Sequence, residues 1–450
     1  MKNRKWLLVL WCLALLAFFR LEIFISPLGQ DESVYAYMSQ QVGQGAVLYR
    51  DVTDNKPPVL FWLAAAVTRL PGVNQINILI LDTLIAALSV WLFYLLACKF
   101  TANTFWLTTA FIIFTNAHRL SQGGFLTEHY VVFFVLLAWW LWLRDKPLPG
   151  TDILAGACLA LAFLSKQTAL ATCAGWGLYI LLYLRRDFNL FYRGLRVLGG
   201  FLSVLALSLL YLYAQGALAY FWQDCVVHLM QYRVQQGRNP WGDFLAVIVD
   251  NLASVALLWF MLALALCQRG TQNTKYRTLM LICLFLEFLA FTAGKTFYGH
   301  QILPLAPALG LLSALSLPEK FYLRYEKVLL ALLAVSLLLQ TYYTWRAFRQ
   351  FPDLLDDYRA ANYIAQNTAP EDFLYAAYGD ARIAFLSRRR HFYKRAYLAH
   401  AYSPAEQIFM QKEFDRLRPL YLLNGWPAYA NPAAYRLEKE IGRYKIYKRQ

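Results

Sequence analysis

The sequence predicts a mainly α-helical, polytopic membrane bundle that ends in a small α/β domain. Three observations predict it. Apolar runs long enough to cross a bilayer recur along residues 6–345. Charged residues make up only 16% of the 450 and gather in short clusters between those runs, where a soluble chain would carry about 25%. Beyond residue 345 the long runs give way to short alternating helix and strand patterns.

Helices are expected at residues 6–25, 74–98, 104–118, 124–143, 151–165, 168–184, 194–214, 244–267, 278–294, 299–317 and 327–345. That makes about eleven spans, each judged against a need for roughly twenty apolar residues. The first follows a basic start like that of a signal peptide, but its run is too long and no small-residue cleavage site follows it, so it is read as an uncleaved helix. The fifth and sixth are short and meet around Ser165, Lys166 and Gln167.

The loops set the orientation. Lys2, Arg4 and Lys5 precede the first helix, and Lys99, Arg144, Arg185, Arg193, Arg196 and Lys320 fall in alternate short loops. Basic residues concentrate on the cytoplasmic side of inner-membrane proteins. An odd helix count then puts the C-terminal part outside, which predicts a multi-pass protein of the inner (plasma) membrane. Two domains are expected, a transmembrane catalytic domain over 1–345 and an extracytoplasmic soluble α/β domain over 346–450.

Two loops on the outer side are long, 26–73 and 215–243, and both hold too many aromatic residues to be disordered. The stretch DESVYAYMSQQVGQG places Val34, Tyr35, Met38 and Val42 on one helical face. An irregular segment, LYRDVTDNK, follows. Pro57 and Pro58 then open a second helix, VLFWLAAAVTRL, too short to span. Both are expected to lie in the membrane interface. In the tail, residues 358–367 and 405–417 read as helices, and DFLYAAYG, RPLYLLNG and YKIYKR as strands.

A net charge of +16 raises the question of nucleic acid. The basic residues are spread over many separate loops, with no stripe interleaved with aromatics, so membrane lipids are the expected partners of that charge and nucleic acid is not. Seven cysteines without a CxxC pair indicate neither a disulfide framework nor a zinc site.

The candidate chemistry sits at helix ends. Asp31 and Glu32 follow the first helix, and Asp51, Asp54 and Lys56 share its loop. Glu128 and His129 start the fourth helix, Lys166 lies between the two short ones, and Lys295, Tyr298, His300 and Gln301 lie at the start of the tenth. Ionisable groups at membrane depth are costly and mark sites or pathways. Each also has a plainer account. Asp31 and Glu32 could be a solvated helix start, Lys166 a lysine snorkelling to the interface, and His300 a structural histidine.

Taken in order, DE after the first helix, NKPP, GGFLTEHY, a lysine between two short helices and YGHQILPLAP resemble the GT-C glycosyltransferases. The likeness is to the bacterial branch related to protein O-mannosyltransferases and lipid A aminoarabinose transferases. The resemblance runs along 6–345, and YIAQNTAPEDFLYAAYGDARIAFLSRRR is similar to that branch's small extracytoplasmic domain. It implies a polyprenyl-phosphate-linked sugar donor and an inverting transfer outside the membrane to a lipid, glycan or protein acceptor. It implies Asp31 as the catalytic base, with Lys56 and Lys166 as the family's two lysines.

The residue types suit that chemistry. One carboxylate takes the acceptor hydroxyl's proton. The leaving phosphate is a stable anion and needs positive charge rather than an acid, which Lys56, Lys166 and His300 could supply. Glu32, Asp54, Glu128, His129 and Tyr298 complete the candidate donor-binding set. No cofactor is indicated beyond a possible divalent metal ion beside Asp31 and Glu128. The rival class is a transporter or flippase for a lipid-linked or anionic substrate. Such proteins show repeated halves and mid-membrane charges, and no matching halves are visible here.

Overall fold

The computed structural model describes the chain except for residues 1, 73, 123, 145–147, 186, 231–239, 269–273, 294–296, 377–380, 397–403, 426 and 428–429. Part of the second long loop and Lys295 therefore lie outside the described residues. The chain divides into two compact units. The first comprises Met1–Leu21, Asp82–Tyr211 and Leu229–Thr344, and the second Glu22–Leu81, Leu212–His228 and Trp345–Gln450.

The first unit is helical. Among the described residues, five helices of the chain are long and apolar enough to cross a membrane: Trp6–Ile25, Asn74–Ala97, Asn189–Ala214, Lys275–Ala293 and Glu326–Arg349. Thr104–Asn116, Thr127–Trp142 and Pro149–Phe163 are apolar but shorter. Large apolar side chains such as Leu84, Leu88, Trp91, Leu198, Leu202 and Leu207 are exposed along the long helices. Surface of that kind needs an apolar solvent. Helices Thr127–Trp142 and Pro149–Phe163 pack together, as do Leu170–Tyr183 and Thr274–Ala293. Gly156 and Gly200 let Pro149–Phe163 approach Asn189–Ala214 closely, since a Cβ at either would collide with the other's backbone.

One of the expected helices is broken, and one expected junction between helices is seen. In place of a continuous 299–317 there is a 3₁₀ segment, Gly299–Leu305, followed by the α-helix Ala306–Ser316. Pro304 has no N–H for an α-helical bond, and Pro307 suits the first turn of a new helix. The junction follows Pro149–Phe163, where the fifth and sixth helices are expected to meet around Lys166. Lys166 is extended at φ −155° and ψ 133°, then a 3₁₀ turn, Gln167–Ala169, leads into Leu170–Tyr183.

The second unit holds the first long loop and the tail. Helix Gln30–Gly43 packs on Val59–Thr68 and on Arg382–Ser387. Residues 32–41 of the first of these helices are all buried, far more than one amphipathic face. Gln40 Nε2 donates to the Phe385 carbonyl at 3.0 Å, and the His391 N–H donates to Tyr37 Oη at 2.8 Å.

A five-stranded sheet runs in the order β2-β1-β3-β5-β4. Its strands are β1 (Phe373–Ala376), β2 (Arg390–His391), β3 (Tyr421–Leu423), β4 (Tyr435–Ile441) and β5 (Tyr444–Arg449). β1 pairs in parallel with β2 and β3, and β5 antiparallel with β3 and β4. The β4–β5 turn needs Gly442, which sits at φ +51° with the Asp356 carboxylate where a Cβ would go. Beneath the sheet Asp357 is buried and accepts from Tyr444 Oη at 2.6 Å and Arg443 at 2.5 Å.

Candidate functional site

In the first unit, Glu128 lies in the first turn of Thr127–Trp142, Lys166 in the break after Pro149–Phe163, and His300 in the 3₁₀ segment. Lys166 Nζ donates to Glu128 Oε1, and His300 Nε2 lies 3.5 Å from the same oxygen. Thr127 Oγ1 donates to Glu128 Oε2 at 2.8 Å. His300 Nδ1 is 3.1 Å from Gln122 Oε1. All three ionisable groups are buried, with Lys166 8% exposed. A lysine reaching for the interface would place its ammonium in open surroundings, whereas this one ends on a buried carboxylate. Tyr298 is 41% exposed, and its ring is nearly parallel to that of His300, 5.7 Å away.

His129 does not join this cluster. Successive helical residues point about 100° apart, and His129 Nδ1 meets Asp82 Oδ2 at 3.0 Å. Arg20 also pairs with Asp82, and it donates to Thr83 at 3.0 Å and Asn116 at 3.1 Å. A third buried carboxyl, Glu287, accepts from the Thr172 hydroxyl. Arg20, Asp82 and Glu287 were not among the residues singled out from the sequence. The signal was present, since each interrupts an apolar run with an ionisable group.

The second unit carries the other candidates. Asp31 lies in the first turn of Gln30–Gly43, where the helix dipole favours a carboxylate. It is half-buried, and it makes no hydrogen bond or ion pair to a described residue. Glu32 beside it is buried. Asp54 Oδ1 lies 4.0 Å from Lys56 Nζ, which donates to Asn55 Oδ1 at 2.6 Å.

The loop bearing Asp54 and Lys56 is tightly folded. Tyr49 N–H donates to the Val52 carbonyl at 2.6 Å, and Tyr49 Oη donates to the Lys56 carbonyl at 3.0 Å. The Cys225 thiol donates to the same carbonyl at 3.3 Å. Burial pushes the pKa of the Cys225 thiol and the Tyr49 phenol up, which keeps both as neutral donors. Asp51 is held below the usual carboxylate range, mainly by its hydrogen bond from Arg50.

No group of three His, Cys, Asp or Glu side chains able to hold a metal ion occurs among the described residues. The oxygens of Glu128 are engaged by an ammonium and a hydroxyl, with an imidazole beside them. Such a cation-rich setting does not suit a divalent ion.

Comparison with known proteins adds two findings. Residues 55–218 match the family model described as dolichyl-phosphate-mannose-protein mannosyltransferase. That stretch contains Lys56, Glu128 and Lys166. The fold is similar to that of ArnT from Cupriavidus metallidurans bound to undecaprenyl phosphate. The TM-score is 0.68 at 15% identity, over 99% of this chain and 98% of that one. The apo form of ArnT gives a TM-score of 0.65 at 16% identity, again over 99% and 98%. No curated protein sequence matches the chain. The chain thus combines a fold similar to that of ArnT along its length with a mannosyltransferase family-model match over residues 55–218.

Proposed function

We propose that this chain is an inverting glycosyltransferase that moves a sugar from a polyprenyl-phosphate-linked donor to an acceptor on the extracytoplasmic side. It would cross the bilayer about eleven times, with its N-terminus in the cytoplasm and residues 346–450 outside. The observation that carries this reading is Lys166, a buried ammonium at a helix break, within a stretch similar to dolichyl-phosphate-mannose-dependent transferases. Lys166, with His300 beside the same carboxylate, binds the donor phosphate in this proposal, and Glu128 orients the lysine. Lys56 supplies a further positive charge.

Asp31 is the proposed base. The acceptor oxygen forms a bond to the sugar's anomeric carbon while the bond from that carbon to the phosphate oxygen breaks. The acceptor's proton passes to the Asp31 carboxylate, and polyprenyl phosphate leaves as the anion. A half-buried carboxylate with no described partner suits a group that must change protonation during turnover.

Purified protein given a labelled donor should release polyprenyl phosphate. Movement of intact donor across a vesicle bilayer without release would identify a transporter instead. Asp31→Asn should retain donor binding but lower turnover by about 100- to 10,000-fold. Near-normal turnover would remove Asp31 as the base, and a larger loss in Glu32→Gln would shift the role by one residue. A phosphatase fused after Gln450 should be active in a bacterial host, and an inactive fusion would overturn the topology.

A further inference from the structure

Within the second unit, the loop that carries Asp54 and Lys56 is held by two distant parts of the chain. Thr53 is its anchor. Its hydroxyl donates to Asp224 Oδ2 at 2.6 Å, and its N–H donates to the Lys394 carbonyl at 2.9 Å. Asp224 also pairs with Arg395 through its other oxygen. Thr53 and Asp224 are buried, with 2% and 1% exposed, and Arg395 nearly so.

Neighbouring contacts run between the same three segments. Tyr49 and Phe221 meet edge to face at 5.2 Å, and Lys394 Nζ lies 5.3 Å from the centre of the Tyr220 ring. Asp224 and Cys225 lie in a single π-helical turn, Gln223–Val227. Such turns are rare, and they occur frequently at functional sites. Here the turn presents Asp224 to Thr53 and the Cys225 thiol to the Lys56 carbonyl.

We propose that Arg395 and Asp224 are positioning residues for the donor-binding loop, so that the C-terminal residues help set Lys56 for the donor's phosphate. The inference rests on the reading of Lys56 as a phosphate ligand. Arg395 fixes Asp224, Asp224 fixes Thr53, and Thr53 fixes the backbone two residues before Asn55. A buried carboxylate bound by one guanidinium and one hydroxyl has a defined orientation, and loss of either partner frees the loop. The C-terminal part is then a working piece of the transferase and not an appendage.

The test uses the full-length protein in nanodiscs and three variants, Arg395→Ala, Arg395→Lys and Asp224→Asn. Hydrogen exchange at the amides of residues 49–56 should speed up about tenfold or more in Arg395→Ala and Asp224→Asn, while exchange in β4 and β5 stays unchanged. The KM for the lipid donor should rise on the order of 10- to 100-fold with little change in kcat, and Arg395→Lys should restore part of it. In a Lys56→Met background, Arg395→Ala should cost nothing further, because both changes act on one interaction. Unaltered exchange at 49–56 overturns the positioning role. Equal losses in both backgrounds overturn the link to Lys56. If Lys56→Met alone leaves the KM normal, the phosphate role of Lys56 fails, and the exchange measurement still decides whether Arg395 holds the loop.

Discussion

Glu128 and His129 are adjacent in sequence, yet each belongs to a different buried ion cluster in the first unit, and the clusters differ in how they are built. His129 meets Asp82 and Arg20. Arg20 and Asp82 lie within long helices, Lys2–Ile25 and Asn74–Ala97. Arg20 also reaches Asn116, so one guanidinium and its carboxylate tie four helices together. Glu128 meets Lys166 and His300, and all three sit at helix starts, breaks or 3₁₀ turns.

The difference is one of backbone freedom. Within a helix the repeating hydrogen bonds fix each Cα, so a cluster there works as a staple. At a break, backbone groups lack part of that ladder, and local rearrangement costs less. The Asp82 cluster has the build of a structural tie. The Glu128 cluster has the build of a site that can adjust around a ligand, in the proposed reading the donor phosphate that Lys166 meets while Glu128 orients it.

The largest effect that tests this contrast is on stability. Asp82→Ala strands a buried guanidinium and should cost about 3–5 kcal/mol. It should be seen as a large fall in thermal midpoint, with donor affinity retained in the protein that remains folded. A normal midpoint would mean that the Asp82 cluster is not a tie. Next in size is Lys166→Ala. A charge-assisted bond to phosphate contributes about 1.5–3 kcal/mol, so donor affinity should fall about 10- to 100-fold. Titration of labelled donor checks it, and unchanged affinity would reduce Lys166 to a partner of Glu128.

Much of this was legible in the sequence because it depends on local pattern. The long helices, the short pair meeting at Lys166, the two helices of the first loop and strands β1, β3 and β5 all follow from apolar spacing, Pro positions and β-rich runs. The remainder depends on distant partners or weak pattern. β2 is two residues long, and β4 reads YRLEKEI, a polar edge strand with little apolar alternation. Arg20 and Asp82 stand 62 residues apart, and Asp224 and Arg395 stand 171 apart. Nothing local in either pair announces the other. An ionisable residue inside an apolar run was the available hint, and it applied to Arg20, Asp82 and Glu287 as much as to Lys166.

The smallest effects sharpen the comparison most, because they exchange the two cations without removing charge. Arg20 uses three nitrogens on three different acceptors, Thr83, Asn116 and Asp82. A lysine keeps the charge but has one nitrogen and cannot reproduce that fork. Arg20→Lys should therefore lose about 1–2 kcal/mol of stability and leave donor affinity alone. Lys166 meets Glu128 as a compact ammonium at the end of a flexible stem. Lys166→Arg keeps a cation able to bind phosphate, so donor affinity should fall by less than about tenfold with the thermal midpoint unchanged. Thermal melts and donor titrations on both variants give four numbers. The contrast requires Arg20→Lys to register in the melt alone and Lys166→Arg in the titration alone. A melt shift in Lys166→Arg equal to that of Arg20→Lys would make both clusters ties, and the phosphate would have to be held elsewhere.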